Sequence, residues 1–535
     1  MKSLVIVSLL AGMLMGCSQI KVLDYPEVEY SNTKSLELYQ VEMTDTALIL
    51  HGDLYNRPGY WVSISSSSVL KGRTTGKTYR LVRATGIELD KQEVMPESWN
   101  RQFTLQFEPV DSKDKVVDFD ESLPEGNGFQ LKGISLEAKE KKGAFCHIEG
   151  EVIDNAAYSR LVLAPSDTDI RSNEWISIPV RNGKFSYDLY VESPAFYELY
   201  SWSDIMNGIW MPVSFFADKG QANFTFYHID KEAQWTSDIP LNQELKRFEQ
   251  EINEKFFTPL QEEEKALETA GKVYTPEMQK LYEQFKTVKS SEEAEGIRKQ
   301  AEKLAEAGKE YTPEYMSFKE KSQKVMEEYL LYTLEYAKLN PTLVGLGQLK
   351  ELTKRVSRSN QLSAKDIIEA YNQVYANKFA DNDIDRYMQN WILSQSIKVG
   401  DSFIDFTAPD AKGVMHTLSE EIKGKVALID LWASWCGPCR RNSKSMIPHY
   451  EKYKDQGFTV VGVARERCQG DMDAAIKKDA YPWLCLLELN DAGKIWDKYG
   501  VGNGGGAIFM VDKEGKILAI NPSTEEVEAI LKKLL

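Results

Sequence analysis

Val426-Ala427-Leu428-Ile429-Asp430-Leu431-Trp432-Ala433-Ser434-Trp435-Cys436-Gly437-Pro438-Cys439 is the stretch that decides the fold. Its first seven residues are an apolar run broken by one acid, the pattern of a strand buried on both faces of a sheet. Two cysteines separated by two residues follow, then Arg440, Arg441, Asn442 and Ser443, then an amphipathic pattern through Tyr453. A strand therefore hands over to a helix at the cysteine pair. At such a junction the unpaired N–H groups and the positive end of the helix dipole stabilise a thiolate at Cys436. Zinc sites share this cysteine spacing but need two further Cys or His ligands at comparable spacing. His449 lies ten residues beyond Cys439 on the same predicted helix, and Cys468 and Cys485 stand alone, so a redox reading is favoured and no metal is assigned.

The segment from Asp430 to Cys439 resembles the active-site segment of thioredoxins. The wider region from about 397 to 535 resembles the TlpA-like and ResA-like membrane-tethered thiol:disulfide oxidoreductases. That wider likeness includes Val399-Gly400-Asp401-Ser402-Phe403 at its start and Phe509-Met510-Val511-Asp512-Lys513-Glu514-Gly515-Lys516 near its end. The resemblance covers about the last quarter of the chain and implies an α/β thioredoxin-like domain over 396–535, with no cofactor. It implies that Cys436, on the N-terminal and more exposed side of the motif, attacks a substrate disulfide and that Cys439 resolves the mixed disulfide. Asp430 matches the buried acid beneath the thioredoxin motif and would accept the Cys439 proton, a role suited to a carboxylate whose pKa an apolar site has raised. Trp432, Trp435, Gly437, Pro438, Gly505 and Gly506 are the expected substrate contacts. The Gly-Pro dipeptide is that of thioredoxin and favours a reductant of disulfide-bearing proteins. Outside the cytoplasm such a reductant must be recharged, so the resemblance implies an inner-membrane thiol donor.

One position departs from the family. A cis-proline usually faces the cysteine pair just before the strand expected over 508–511, and here the stretch reads Gly504-Gly505-Gly506. A cis bond without proline costs roughly 2.5–4 kcal/mol, so the loop is either trans and reshaped or held by its surroundings. Glycine there is expected to widen the groove and weaken peptide binding. Gly506→Pro is then expected to tighten that binding if the loop can adopt the usual shape.

Working outward, the 535 residues are 42% hydrophobic and 27% charged with a net charge of −16, which describes an acidic multi-domain protein. This charge excludes nucleic acid as a natural partner, since no basic stripe with interleaved aromatics offsets the repulsion from phosphates. Met1-Lys2-Ser3 and the apolar run over 4–16 read as a signal peptide too short to span a bilayer. Leu14-Met15-Gly16-Cys17 resembles a lipoprotein lipobox, which implies lipidation of Cys17 and a membrane anchor at the start of the mature chain. The residues after Cys17 carry neither an adjacent aspartate nor an acidic cluster, which favours a cell-envelope location facing the periplasm. Residues 17–34 read as a tether.

Short stretches rich in Val, Ile, Tyr, Thr and Phe, among them 46–50, 60–65, 78–82 and 103–107, predict an all-β domain over 35–142. A second, sandwich-like β domain is expected over 143–232, marked by Asn182-Gly183 between the runs 176–180 and 185–191, a strong hairpin signal. It resembles small β domains fused to thioredoxin modules in some bacterial lipoproteins. The aromatics of the two β domains, among them Trp175, Trp202 and Trp210, with His51 and His147, could bind a glycan or peptide, although core packing is the favoured reading. Cys146 reads as a buried thiol, and Cys468 and Cys485 as reduced thiols.

From 238 to 395 the composition turns to Glu, Lys, Gln and Leu at helical period. Ala270-Gly271-Lys272-Val273-Tyr274-Thr275-Pro276-Glu277 recurs, 37 residues on, as Ala307-Gly308-Lys309-Glu310-Tyr311-Thr312-Pro313-Glu314. Each Thr-Pro-Glu reads as an N-cap, a proline in the first turn and an acid favoured by the helix dipole. Two copies do not make a solenoid, so the region is expected to be a helical hairpin array spacing the β domains from the redox module.

Three other functions compete. A peroxiredoxin would place its cysteine in Thr-X-X-Cys, whereas this helix opens on Trp-Cys-Gly-Pro-Cys. A ligand- or partner-binding lipoprotein with a vestigial redox module would fail to reduce insulin. A disulfide isomerase would differ in redox potential.

Overall fold

The computed structural model describes residues 20–535 apart from 122, 124–127, 139–142, 156, 167–174, 228–230, 381 and 503–504. The signal peptide read over 1–16 and Cys17 lie outside the described residues, as does Gly504. The chain divides into two compact units, one of residues up to 192 with 196–237 and one of 193–195 with 238–535.

The first unit is built from β-structure. A nine-stranded sheet runs in the order Lys21–Asp24, Leu36–Met43, Leu48–Tyr55, Asn100–Phe107, Thr78–Thr85, Val69–Gly72, Val116–Asp120, Gln130–Ser135, Tyr30–Ser31. The stretch read as a tether thus supplies strands. Lys21–Asp24 pairs antiparallel with residues 40–43, and Tyr30–Ser31 pairs with residues 131 and 132. These pairings are backbone bonds to an edge that only the folded sheet presents, and a four-residue strand carries little periodicity of its own. Alternate residues of the central strands, Leu48 and Leu50 with Phe103, Leu105 and Phe107, point to the core, as a half-buried sheet requires.

The unit also holds a two-stranded pairing of Trp61–Val62 with Glu93–Val94 and two four-stranded sheets. One runs Lys184–Val191, Ala144–Val152, Gly220–Phe226, Gln234–Ser237, and the other Ile176–Pro179, Arg160–Pro165, Ala195–Ser201, Val213–Ala217. Asn182 and Gly183 make the expected turn at φ 51° and 72°, closed by reciprocal bonds between Arg181 and Lys184. The two runs it joins do not form the predicted hairpin, because they enter different sheets. Pro179 has no N–H to extend a ladder, and Val180 N–H goes instead to Ser159 O at 2.9 Å.

The second unit begins with helices. Thr275 caps Pro276–Thr287 and Thr312 caps Pro313–Leu339, each side chain accepting from the backbone three residues on. The two copies of the repeat also bind each other. Thr275 N–H donates to Glu310 O at 3.1 Å and Thr312 N–H to Val273 O at 3.0 Å, with the Tyr274 and Tyr311 rings stacked at 5.6 Å. Further on, Asp383–Ser394 packs against Ile495–Lys498 of the redox module.

The redox module is a five-stranded mixed sheet. Its labelled elements are β1 (Val426–Trp432), α1 (Gly437–Tyr453), β2 (Phe458–Glu466), α2 (Gln469–Asp479), β3 (Leu484–Leu489), β4 (Ala507–Val511), β5 (Ile517–Ile520) and α3 (Thr524–Leu534). The order is β3-β2-β1-β4-β5, with β1 parallel to β2 and antiparallel to β4. Every residue of β1 is buried, which is why its sequence is a continuous apolar run. Ser523 and Glu526 close α3 with a capping box, as their spacing predicts. No helix among the described residues is long and apolar enough to cross a membrane.

Candidate active site

β1 ends at Trp432 and α1 starts at Gly437, so Cys436 falls at the N-cap. Its Sγ accepts the Cys439 N–H at 3.3 Å. The two cysteines are joined as a disulfide with Cα atoms 5.3 Å apart. A backbone donor and the helix dipole both favour negative charge on Cys436 Sγ. The exposure order read from the sequence is reversed. Cys436 is 5% exposed and packs into the apolar core, while Cys439 is partly exposed. Cys436 joins the buried apolar cluster that also holds Ala433 and Trp496.

A groove of about 580 Å³ runs over the pair. Its lining includes Trp435, Gly437, Pro438, Gly505, Gly506 and Asp430. Asp430 is 3% exposed, and burial pushes its carboxyl up to about 7 against the opposing pull of the Ser443 hydroxyl. Trp435 is 38% exposed and meets Trp496 at 6.2 Å. Trp432 is fully buried, edge-on to Tyr481 at 5.0 Å, and does not line the groove. Of the two tryptophans read as substrate contacts, only Trp435 is placed to be one. Both faces of a central strand are interior, and Trp432 is its last residue.

The glycine at the family's proline position is held closely. Gly506 N–H donates to Cys439 Sγ at 3.1 Å, and a Cβ on Gly506 would stand 1.8 Å from Leu431 O. No peptide bond among the described residues is cis, so the bond between Gly505 and Gly506 is trans. The close approach means that glycine brings backbone up against a sulfur of the pair here. On this backbone a side chain at 506 would meet Leu431 O, so Gly506→Pro requires the loop to move.

Three residues that sequence reasoning missed fasten the cysteine loop. Glu466, at the end of β2, accepts Ser434 N–H at 2.5 Å and Ser434 Oγ–H at 2.7 Å. Burial raises its carboxyl above the ordinary range, and the two Ser434 bonds oppose that. Arg440 donates to Ser434 O at 3.2 Å and through Nε to Asp479 Oδ2 at 2.6 Å. The Arg440 guanidinium holds the Asp479 carboxyl below its usual range. The available signals were an acid ending a largely apolar strand and a basic residue directly after Cys439.

Beneath the site Asp430 pairs in register with Gly462 and Gly462 with Cys485. A Cβ on Gly462 would meet Trp432 Nε1 at 3.0 Å, Cys485 Sγ at 3.2 Å and Trp483 Nε1 at 3.4 Å, so glycine leaves the room these groups share. Burial pushes the Cys485 thiol up, with the Asp430 charge adding to it, and Cys485 is a free thiol, as is the half-buried Cys468. Cys146 is buried in the first unit.

Comparison with known proteins bears on this module alone. Residues 399–520 match the AhpC/TSA family. The thiol-disulfide oxidoreductase ResA of Bacillus thuringiensis (strain Al Hakam) is 28% identical over 145 residues, 26% of this chain and 80% of the relative. The thiol:disulfide interchange protein DsbE of Allochromatium vinosum is 30% identical over 116 residues, 21% of this chain and 60% of the relative. Among solved structures, the thioredoxin domain of a thiol-disulfide oxidoreductase from Bacteroides vulgatus is 30% identical. All of that chain and 26% of this one are covered, at a TM-score of 0.24.

Proposed function

We infer that the protein acts through its C-terminal quarter, an AhpC/TSA-type thioredoxin-fold domain and a thiol:disulfide oxidoreductase, by reducing disulfides of proteins outside the cytoplasm. The observation that carries this reading is one groove holding an N-cap cysteine, its partner and a buried carboxyl pushed up to about 7. In the dithiol form, Cys436 as thiolate attacks a substrate sulfur, forming a mixed disulfide and expelling a substrate thiolate, which takes up a proton. Cys439 then gives its proton to Asp430 and attacks Cys436 Sγ, expelling the second substrate sulfur as a thiolate that takes up the proton from Asp430 and leaving the Cys436–Cys439 disulfide. The substrate gains two electrons and the pair loses two. A thiol donor at the inner membrane would return them.

The test is capture. Cys439→Ala protein is expected to retain its substrates as mixed disulfides on Cys436, visible by non-reducing electrophoresis and identified by mass spectrometry. Cys436→Ala is expected to retain none. Equal trapping by the two variants, or none by either, would overturn the assignment of roles.

The anchor belongs to the same reading. Leu14-Met15-Gly16-Cys17 supports lipidation of Cys17, which would hold the module on an envelope membrane facing the periplasm. Cys17→Ser is expected to leave the precursor unprocessed or move the protein to the soluble fraction. Unchanged maturation and membrane partition in that variant would refute the anchor.

A further inference from the structure

We propose that the N-terminal unit binds a saccharide in the cavity bordered by Asp53, Trp175 and Ser177. The cavity measures about 300 Å³, at the lower end of the roughly 300–1,000 Å³ typical of small-molecule sites. Tyr25, Tyr39, Tyr55 and Tyr187 provide its aromatic walls. Tyr25 and Tyr187 meet edge to face at 5.6 Å and form a corner of the wall.

The polar groups of this cavity are the reason to expect a ligand. Asp53 is 1% exposed. Its Oδ2 pairs with Arg181, while its Oδ1 has no hydrogen-bond partner. Trp175 is 8% exposed, and its indole N–H is likewise unpartnered, as is Ser177 Oγ. Protein interiors pair such atoms with few exceptions, so three on the border of one cavity are unusual for a site with no occupant. The wall behind them is closely packed. The Arg160 side chain has no exposure, and its guanidinium lies 3.9 Å from the Tyr55 ring centroid and 4.0 Å from that of Trp202. Trp202 in turn stacks on Trp175 at 5.4 Å.

The chemistry of these groups narrows the ligand. Asp53, Glu37 and Glu29 each face an arginine, respectively Arg181, Arg160 and Arg73, and the other charged lining residues, Glu27 and Lys34, are of opposite sign, so the cavity does not call for a ligand of fixed charge. The occupant has to accept from an indole N–H, donate to a carboxylate oxygen, exchange a bond with a serine hydroxyl and lay an apolar face on tyrosine rings. Sugar hydroxyls donate and accept on one small ring whose C–H faces suit aromatic walls. A peptide offers donors and acceptors too, but along an extended backbone.

The test is calorimetric titration of the full chain with glucose, galactose, N-acetylglucosamine and maltose, with tetraglycine in parallel. Saturable binding of at least one sugar is expected. Trp175→Phe, which keeps an aromatic ring, and Ser177→Ala are each expected to weaken it about tenfold, the cost of one lost hydrogen bond. Should Trp175→Phe fail to fold, Ser177→Ala decides alone. The proposal is overturned if no sugar binds at about 10 mM, if binding is unchanged in the folded variants, or if only tetraglycine binds. Insulin reduction by the same variants is expected to equal the parent's, so failure here is distinguishable from failure of the redox reading.

Discussion

Replacing Gly506 with alanine is expected to destabilise the redox module by about 3 kcal/mol or more and to lower disulfide reduction at least tenfold. The added Cβ would stand 1.8 Å from Leu431 O and 3.2 Å from Cys439 Sγ. Leu431 lies in β1, paired on both sides by β2 and β4, so its carbonyl cannot give way without unzipping the centre of the sheet. The loop must move instead, and with it the Gly506 N–H that Cys439 Sγ accepts at 3.1 Å. Proline at the same position loses that donor outright as well as colliding. Gly506→Pro is therefore expected to weaken peptide mixed-disulfide formation, the opposite of what family resemblance alone suggests. Denaturant midpoints and insulin-reduction rates check both variants. A Gly506→Ala protein with parental midpoint and rate would show that the loop stands clear of β1.

Asp430→Asn is expected to raise stability at alkaline pH while slowing catalysis. Burial lifts the Asp430 carboxyl from 3.8 to about 7, so between those values the folded protein holds a proton that the unfolded chain has released. Stability must then fall as pH rises through that window, because the unfolded state binds fewer protons. Above pH 7 the wild type carries the whole cost, about 4 kcal/mol at most for a displacement of this size. Asparagine has no proton to lose. Oxidised Asp430→Asn protein should therefore gain on the parent from pH 4 to 7 and level off above, as read from urea midpoints across pH. Its reduction rate should fall about tenfold or more near neutrality, and the inflection near pH 7 should vanish from its pH–rate profile. Parallel midpoint curves for the two proteins would mean that Asp430 is already ionised in the fold.

Much of the redox module could be read from its sequence because its signals are local. A seven-residue apolar run, a cysteine pair and an amphipathic stretch follow one another within 28 residues, from Val426 to Tyr453, and each reports its own element. What escaped notice depends on partners distant along the chain. Glu466 and Asp479 reach the cysteine loop from the far ends of β2 and α2, and no periodicity ties them to Ser434 or Arg440. Trp432 and Trp435 look alike as residues near a motif. They are separated only by where β1 stops, since the last strand residue is interior and the residue before the N-cap is not. Asn182-Gly183 announced its turn correctly, because φ is a local property, but the assignment of the flanking strands to sheets is decided by tertiary pairing. Lys21–Asp24 was lost for the same reason.

The mutual bonds between the two Thr-Pro-Glu copies have a topological consequence. Residues 273–275 and 310–312 meet, so the chain leaves the helical bundle and returns to it at one point. The pair of helices between them, Pro276–Thr287 and Ser291–Glu306, is thereby a closed excursion sealed at its neck. Loop-closure entropy rises only logarithmically with length, so an excursion sealed in this way can lengthen, shorten or change its sequence at small thermodynamic cost to the bundle below. The repeat thus works as a hem, and the freedom to vary belongs to what lies beyond it.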